Sequence, residues 1–238
     1  MNFLHNPIID FFYFPLLKAL IFLYQILPIK DFGIALLIFT ILIKLILSPL
    51  SFKAIKSQKS LSQIQSKVKE IQEKHKEDKE KQMKAILELY KKEKFNPFSG
   101  CLFSILQIPI FLALFRLFWE GVQSFDFEPL FLGKINLSLS FFIQKDPQTI
   151  QYYWPAFFLA FLATAFQFIQ FKMQPFSFSQ QKKDQMSKIL DIFQKEMIIL
   201  FPLFTLLVLL KLPCALSLYW LSSTLFSIFQ QKLIFKTN

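Results

Sequence analysis

Lys44 is the one charged side chain in residues 32–52. As a helix that stretch would reach about 30 Å, the thickness of a bilayer's hydrocarbon core. An ammonium near the middle of such a span costs about 2.5–3.5 kcal/mol on insertion scales, so an ionisable group there reads by default as functional. Thr40 and Ser48 lie four residues to either side of it. The three polar groups therefore fall near one helix face. The rest of the helix suits lipid, and this stripe must face either a water-filled cavity or a partner helix. A blander reading has Lys44 snorkelling along its own stem to the near interface. The chemistry open to such an amine is attraction of acidic or strongly dipolar groups inside the membrane.

The rest of the sequence supplies similar groups. Gln107, Thr164, Gln167, Gln170, Ser217, Ser222, Ser223 and Thr224 all fall within long apolar segments. Singly, each hydroxyl reads as a packing residue or one bonded back to its own helix. Together they suggest a hydrated pocket within a helix bundle. No H-E-x-x-H, G-x-S-x-G, phosphate-binding loop or dinucleotide fingerprint occurs, and no Asp, Glu or His lies within an apolar segment. Enzyme chemistry, a metal and a cofactor are not expected. Cys101 and Cys214 have no metal-site or redox spacing, and His5 and His75 are isolated.

The elements that must position these groups follow from composition. The chain is 54% hydrophobic, holds 33 Phe against 4 Gly, and carries a formal charge of +11. Long uncharged runs separated by basic segments indicate an all-α polytopic membrane protein with its basic loops in the cytoplasm. The charge then points to anionic lipid and not to nucleic acid. We expect an interfacial helix over 1–31, with a sixth span over residues 11–29 as the alternative. A first span at 32–54 follows, closed by Pro49 and the lysines after it. Residues 55–94 form a cytoplasmic helical hairpin. Its arms carry apolar stripes at Leu61, Ile64, Val68 and Ile71 and at Met83, Ile86, Leu87 and Tyr90. A second span (95–119), an outer loop (120–150), a third span (151–172), a cytoplasmic loop (173–195), fourth and fifth spans (196–211 and 212–231) and a tail (232–238) complete the order. The positive-inside rule places the N-terminus outside and the C-terminus in the cytoplasm. No removable signal peptide is expected, since the N-terminus lacks a basic region ahead of a short apolar core.

Several runs carry a resemblance. Asn96-Pro97-Phe98-Ser99-Gly100-Cys101 followed by Gln107-Ile108-Pro109-Ile110-Phe111 resembles the second-span signature of the YidC/Oxa-type membrane protein insertases. Leu42 through Leu50 is similar to that family's first core span. Pro213, Leu218-Tyr219-Trp220, Ser223 and Gln230-Gln231 are similar to its last. Leu89-Tyr90-Lys91 matches the end of its cytoplasmic hairpin, and Phe131-Leu132 its outer loop. The likeness runs over about residues 11 to 231.

This resemblance implies a five-span core bundle around a hydrophilic groove, open to the cytoplasm and to lipid and closed outside. It implies a groove lined by Lys44, Thr40, Ser48, Gln107, Thr164, Gln167, Gln170, Tyr219, Trp220 and Ser223. It also implies nascent membrane proteins as substrates, and a Sec-type translocon and the ribosome as candidate partners; between a bacterial and an organellar membrane, a compact chain without a transit segment favours the bacterial plasma membrane. The family's groove cation is usually arginine. Lysine here gives up forked carboxylate contacts and keeps charge attraction. Phe103 replaces a proline common after the Gly-Cys pair. Two competing classes are a small solute or proton transporter using the same groove, and a purely structural membrane subunit.

Overall fold

The computed structural model describes residues 6–76, 78–93, 108–121, 129–146, 149–173 and 185–236. Among them the protein is mostly helical, with two short β-hairpins. The first helix, α1 (Pro7–Ile26), starts where Asn6 Oδ1 accepts from the Ile8 amide at 3.0 Å and Pro7 takes the first helical position, which needs no N–H. Ile9, Tyr13 and Leu20 form its buried face. Phe11, Phe14, Lys18 and Phe22 point outward.

Helix α2 (Phe32–Ile46) is capped by Asp31 and buries Phe32, Ala35, Leu36, Phe39, Thr40 and Lys44 on one face. Its spacing of three and four is that of a stripe laid against another helix. The apolar run does not continue straight. At Leu47 the axis turns by 61° into α3 (Ser48–Lys74). Pro49 accounts for the break: it has no N–H for the preceding turn, and its ring crowds the carbonyl four residues back. The expected first span of 32–54 is thus a 15-residue helix and a bent continuation that runs on into the hairpin.

Helices α3 and α4 (Lys79–Lys92) form that hairpin. Asp78 caps α4 through the Lys81 amide at 3.0 Å, Gln82 Nε2 donates to the Gln72 carbonyl at 3.0 Å, and Lys67 pairs with Glu93 at 2.6 Å. The Lys67 ammonium holds the Glu93 carboxyl below the usual carboxylate range. Ile64 and Val68 are buried as the stripe predicts. On α4 the stripe is split. Ile86, Leu89 and Tyr90 are half-buried, while Met83 and Leu87 are 60% and 50% exposed. A two-helix pair has one seam, and these two residues lie outside it.

Helix α5 (Ile108–Trp119) ends in a π-helical turn, Leu117–Gly121. There Arg116 forms an ion pair with Asp10 of α1, and its guanidinium lies 4.3 Å from the centroid of the Tyr13 ring. The following loop folds into β1–β2 (Leu130–Phe131 with Ile135–Asn136) and β3–β4 (Phe142–Asp146 with Thr149–Tyr152), both antiparallel.

The β1–β2 turn is fastened to α2. Asp31 Oδ1 accepts from Ile34 N at 2.8 Å, and Asp31 Oδ2 accepts from Leu132 N at 2.5 Å. Leu132 has φ of 52°, a conformation unfavourable by roughly 1–2 kcal/mol for a residue with a Cβ. The buried carboxylate holds it there. Gly33 lets Phe131 lie on the α2 backbone, since a Cβ at Gly33 would fall 2.2 Å from Phe131 Cδ2. Asp31→Ala removes a cap and leaves the Leu132 amide without its acceptor. We expect a loss of about 2–4 kcal/mol, read as a lower thermal midpoint in detergent. Asp31→Asn keeps one acceptor oxygen and loses less.

Helices α6 (Trp154–Met173), α7 (Gln185–Lys211) and α8 (Cys214–Lys236) close the fold. Ala156, Ala160 and Ala163 let α6 approach α8 closely, as small residues do in membrane bundles. Helix α7 begins at Gln185, inside the segment read as a loop, because nothing between Gln185 and Glu196 breaks a helix. Helix α8 is central, touching α2, α3, α6 and α7. By length and composition α1 and α6 can each cross a membrane, and the bent α2–α3 pair can form a third crossing.

Candidate functional site

The bundle interior is polar where α2 and the start of α3 meet α8. Lys44 is 7% exposed and lies on the α2 face that packs against α8. Its Nζ donates to Ser227 Oγ at 3.4 Å, and that hydroxyl donates to the Ser223 carbonyl at 2.9 Å. One turn beyond the bend, Ser51 Oγ lies 2.9 Å from the Ser48 carbonyl oxygen and 3.1 Å from Gln230 Oε1. Two polar contacts therefore straddle the bend and tie both of its sides to α8.

The buried faces of α6 and α8 hold polar atoms that the described residues do not satisfy. Gln167 Oε1, Ser217 Oγ, Gln230 Nε2 and Gln231 Oε1 are buried without a hydrogen-bond partner among the described residues. Each such group costs about 1–3 kcal/mol if it stays dry. Gln230 and Gln231, one turn along α8 from the Lys44 partner Ser227, make that part of the interior suited to water or to a polar guest and poorly suited to hydrocarbon.

The expected residues are placed as follows. Thr40 is fully buried, and its hydroxyl donates to the Leu36 carbonyl at 2.7 Å, so it is a back-bonded threonine. Thr164 does the same toward the Ala160 carbonyl at 3.0 Å. Ser48 is half-buried and contributes its carbonyl to Ser51. Gln167 is buried on the α6 face with Thr164, and Gln170, almost a turn further, is half-buried. Tyr219 is buried in α8. Trp220 is half-buried and meets Phe111 of α5 edge-on at 5.5 Å. Ser223 joins Lys44 through Ser227. Gln107 lies outside the described residues.

Four groups were not expected as site residues: Ser51, Ser227, Gln230 and Gln231. The signal existed in α8. Ser223, Ser227, Gln230 and Gln231 stand at spacings of four, seven and eight, which is one helix face.

The side of the bundle opposite the hairpin is covered. Leu137 is fully buried, and the carbonyls of Leu137 and Leu139 accept from the first amides of α8, Ala215 at 2.9 Å and Cys214 at 2.8 Å. The segment expected as an outer loop thus sits on the α8 N-terminus and satisfies donors that a helix start leaves open.

Comparison with known proteins gives a consistent result. A family model described as 60Kd inner membrane protein matches residues 22–238. A protein of Geobacter sp. (strain M21) named membrane protein insertase YidC is 33% identical over 237 residues, covering 98% of this chain and 39% of its own length. A protein of the same name from Shewanella halifaxensis is 32% identical over 93% of the chain and 36% of its own length. Another, from Fusobacterium nucleatum, is 32% identical over 87% of the chain and 88% of its own length. The chain therefore spans about two fifths of the first relatives and most of the last.

Proposed function

This chain belongs to the 60Kd inner membrane protein family, the YidC/Oxa type, and on that premise we propose that it inserts nascent membrane proteins into a bacterial inner membrane. The observation that carries the reading is the polar seam of α2–α3 and α8, with a buried ammonium and unsatisfied amide atoms inside a membrane bundle.

The barrier to moving a polar tail across a bilayer is desolvation of its charges and backbone. A wet groove shortens the dry part of the path. Lys44 attracts acidic side chains of the tail, and the orphaned amide oxygens of Gln167 and Gln231 and the amide nitrogen of Gln230 offer acceptors and a donor to its backbone. The apolar span leaves sideways into lipid, driven by partition. No nucleotide or bond-making step enters the scheme, so the protein is read as no enzyme. Five spans, counted as residues 32–54, 95–119, 151–172, 196–211 and 212–231, surround the groove, with the N-terminus outside and the C-terminus in the cytoplasm. Helix α1 lies in the interface: Lys18 is exposed midway along it, and in a crossing helix it would face the bilayer centre. The basic loops hold anionic lipid. A Sec-type translocon and the ribosome remain candidate partners on the same reading.

The α3–α4 hairpin stands where an incoming chain would first meet the protein. The outer loop bonded to the α8 N-terminus favours a one-sided groove over a solute pathway.

A photoreactive residue at Ser223 tests this. It should form adducts with ribosome-bound single-span chains well above those from the same residue at Phe158, on the outward face of α6. Equal yields at the two positions would overturn the groove reading.

A further inference from the structure

The insertion scheme does not use the β3–β4 hairpin. Its register pairs Phe142 with Tyr152 and Gln144 with Ile150. Side chains alternate across a strand, so Phe142, Gln144, Ile150 and Tyr152 share one face. That face is open at three positions: Ile150 is 57% exposed, Tyr152 52% and Phe142 42%. The Phe142 and Tyr152 rings lie 6.1 Å apart, and Phe141 reaches both Tyr152 (5.3 Å) and Trp154 (5.8 Å).

The face is continuous with another. Trp154, the most exposed aromatic of this cluster, is the first residue of α6 and heads an outward stripe through Phe158, Phe161 and Ile169. Those spacings form one side of a helix. Helix α6 is long and apolar enough to cross a membrane, so the stripe meets lipid chains. Along it the composition is Phe and Ile. At its N-terminal end it becomes Trp154 and Tyr152, the residues that favour the headgroup boundary. A two-stranded ribbon is only marginally stable alone in water. Here three of the four residues on one face are aromatic or aliphatic.

We propose that the β3–β4 hairpin is a membrane anchor, its Phe142–Ile150–Tyr152 face seated in the interfacial layer of the leaflet at the N-terminal end of α6. The partner is lipid. The anchor is tied to the outer cap. Phe141 N donates to the Leu210 carbonyl at 3.2 Å at the end of α7, and Tyr153 Oη accepts from Asn136 N at 2.7 Å in the other hairpin. Lipid contact at β3–β4 thereby steadies the loop that covers the α8 N-terminus. The inference rests on reading α6 as a membrane span.

The test uses the full chain with Trp119, Trp154 and Trp220 changed to Phe, carrying either Ile150→Trp or Phe161→Trp. Each is placed in phosphatidylcholine–phosphatidylglycerol vesicles with and without lipids brominated near the headgroup or in mid-chain. Interfacial burial predicts that Ile150→Trp loses roughly half its emission to shallow-brominated lipid and is shielded from iodide. Phe161→Trp should be quenched best by mid-chain bromine. If Phe161→Trp responds to brominated lipid while Ile150→Trp is quenched by iodide alone, the hairpin stands in water and the anchor is overturned. Shielding of Ile150→Trp from both quenchers would mean protein covers the face, which also overturns it. If neither probe responds to brominated lipid, the span reading of α6 fails and takes the anchor with it.

Discussion

A Lys44→Glu variant should insert a single-span substrate with an acidic tail at least about tenfold more slowly than the unaltered protein, with Lys44→Arg close to unaltered and Lys44→Ala between them. Two unit charges 4 Å apart interact by about 4 kcal/mol at an effective dielectric near 20. A hydrated groove screens part of that. If even 1–2 kcal/mol of attraction survives in the rate-limiting step, reversing its sign shifts the barrier by about 2–4 kcal/mol and the rate by roughly 30- to 1000-fold. The same series on a substrate whose tail carries no acidic residue should be nearly flat. That second arm separates charge attraction from packing, because a folding defect would slow both substrates alike. Glu and Arg variants of equal activity on the acidic tail would end the electrostatic account. Insertion is read by protease protection of the translocated tail in vesicles.

How much of this was legible beforehand varies by residue, for physical reasons. Lys44 stands out because a lone charge in an apolar run is costly wherever the chain puts it. The bend at Leu47 was readable from Pro49, whose missing N–H acts locally. The partner of Lys44 was not readable. Ser227 sits under the amine only because of how α8 is rotated against α2, and rotation is set by packing across 183 positions of sequence. The hydroxyls of Thr40 and Thr164 were expected either to face water or to bond back. They bond back, the local option open to any helical threonine.

The outer loop was the least legible part. Its β1 and β2 have two residues each, too short for alternation to register. Its turn places Leu132, a residue that disfavours positive φ, beside Gly133, and only the carboxylate of Asp31, 101 positions away, explains why. On α4 the sequence stripe contained more apolar residues than one seam can bury, so the pattern gave the helix but not its rotation.

Arg116 belongs to the same class of long-range feature, and breaking its ion pair is the second large effect expected. It lies near the end of the expected second span, 95–119. The structure buries it at 9% side-chain exposure, ion-paired with Asp10 of α1 and facing the Tyr13 ring. Asp10→Ala should destabilise the fold by about 3–5 kcal/mol, because it leaves the buried guanidinium without its counter-charge. Arg116→Ala should cost less, about 1–2 kcal/mol, because the carboxylate it leaves behind is 37% exposed and reaches solvent. The two losses should not add. A double-mutant cycle read by thermal unfolding in detergent should give a coupling of about 0.5–3 kcal/mol. Tyr13→Leu removes the ring's attraction for the guanidinium and should cost up to about 2 kcal/mol where that contact is desolvated. Since Ile9, Tyr13 and Leu20 are the buried side of α1, weakening this cluster frees the whole helix. A thiol placed at Leu20 should then label faster in the Arg116→Ala variant than in the unaltered chain. Purely additive losses, with unchanged labelling at position 20, would mean that α1 is held by its apolar face alone and that the ion pair is incidental.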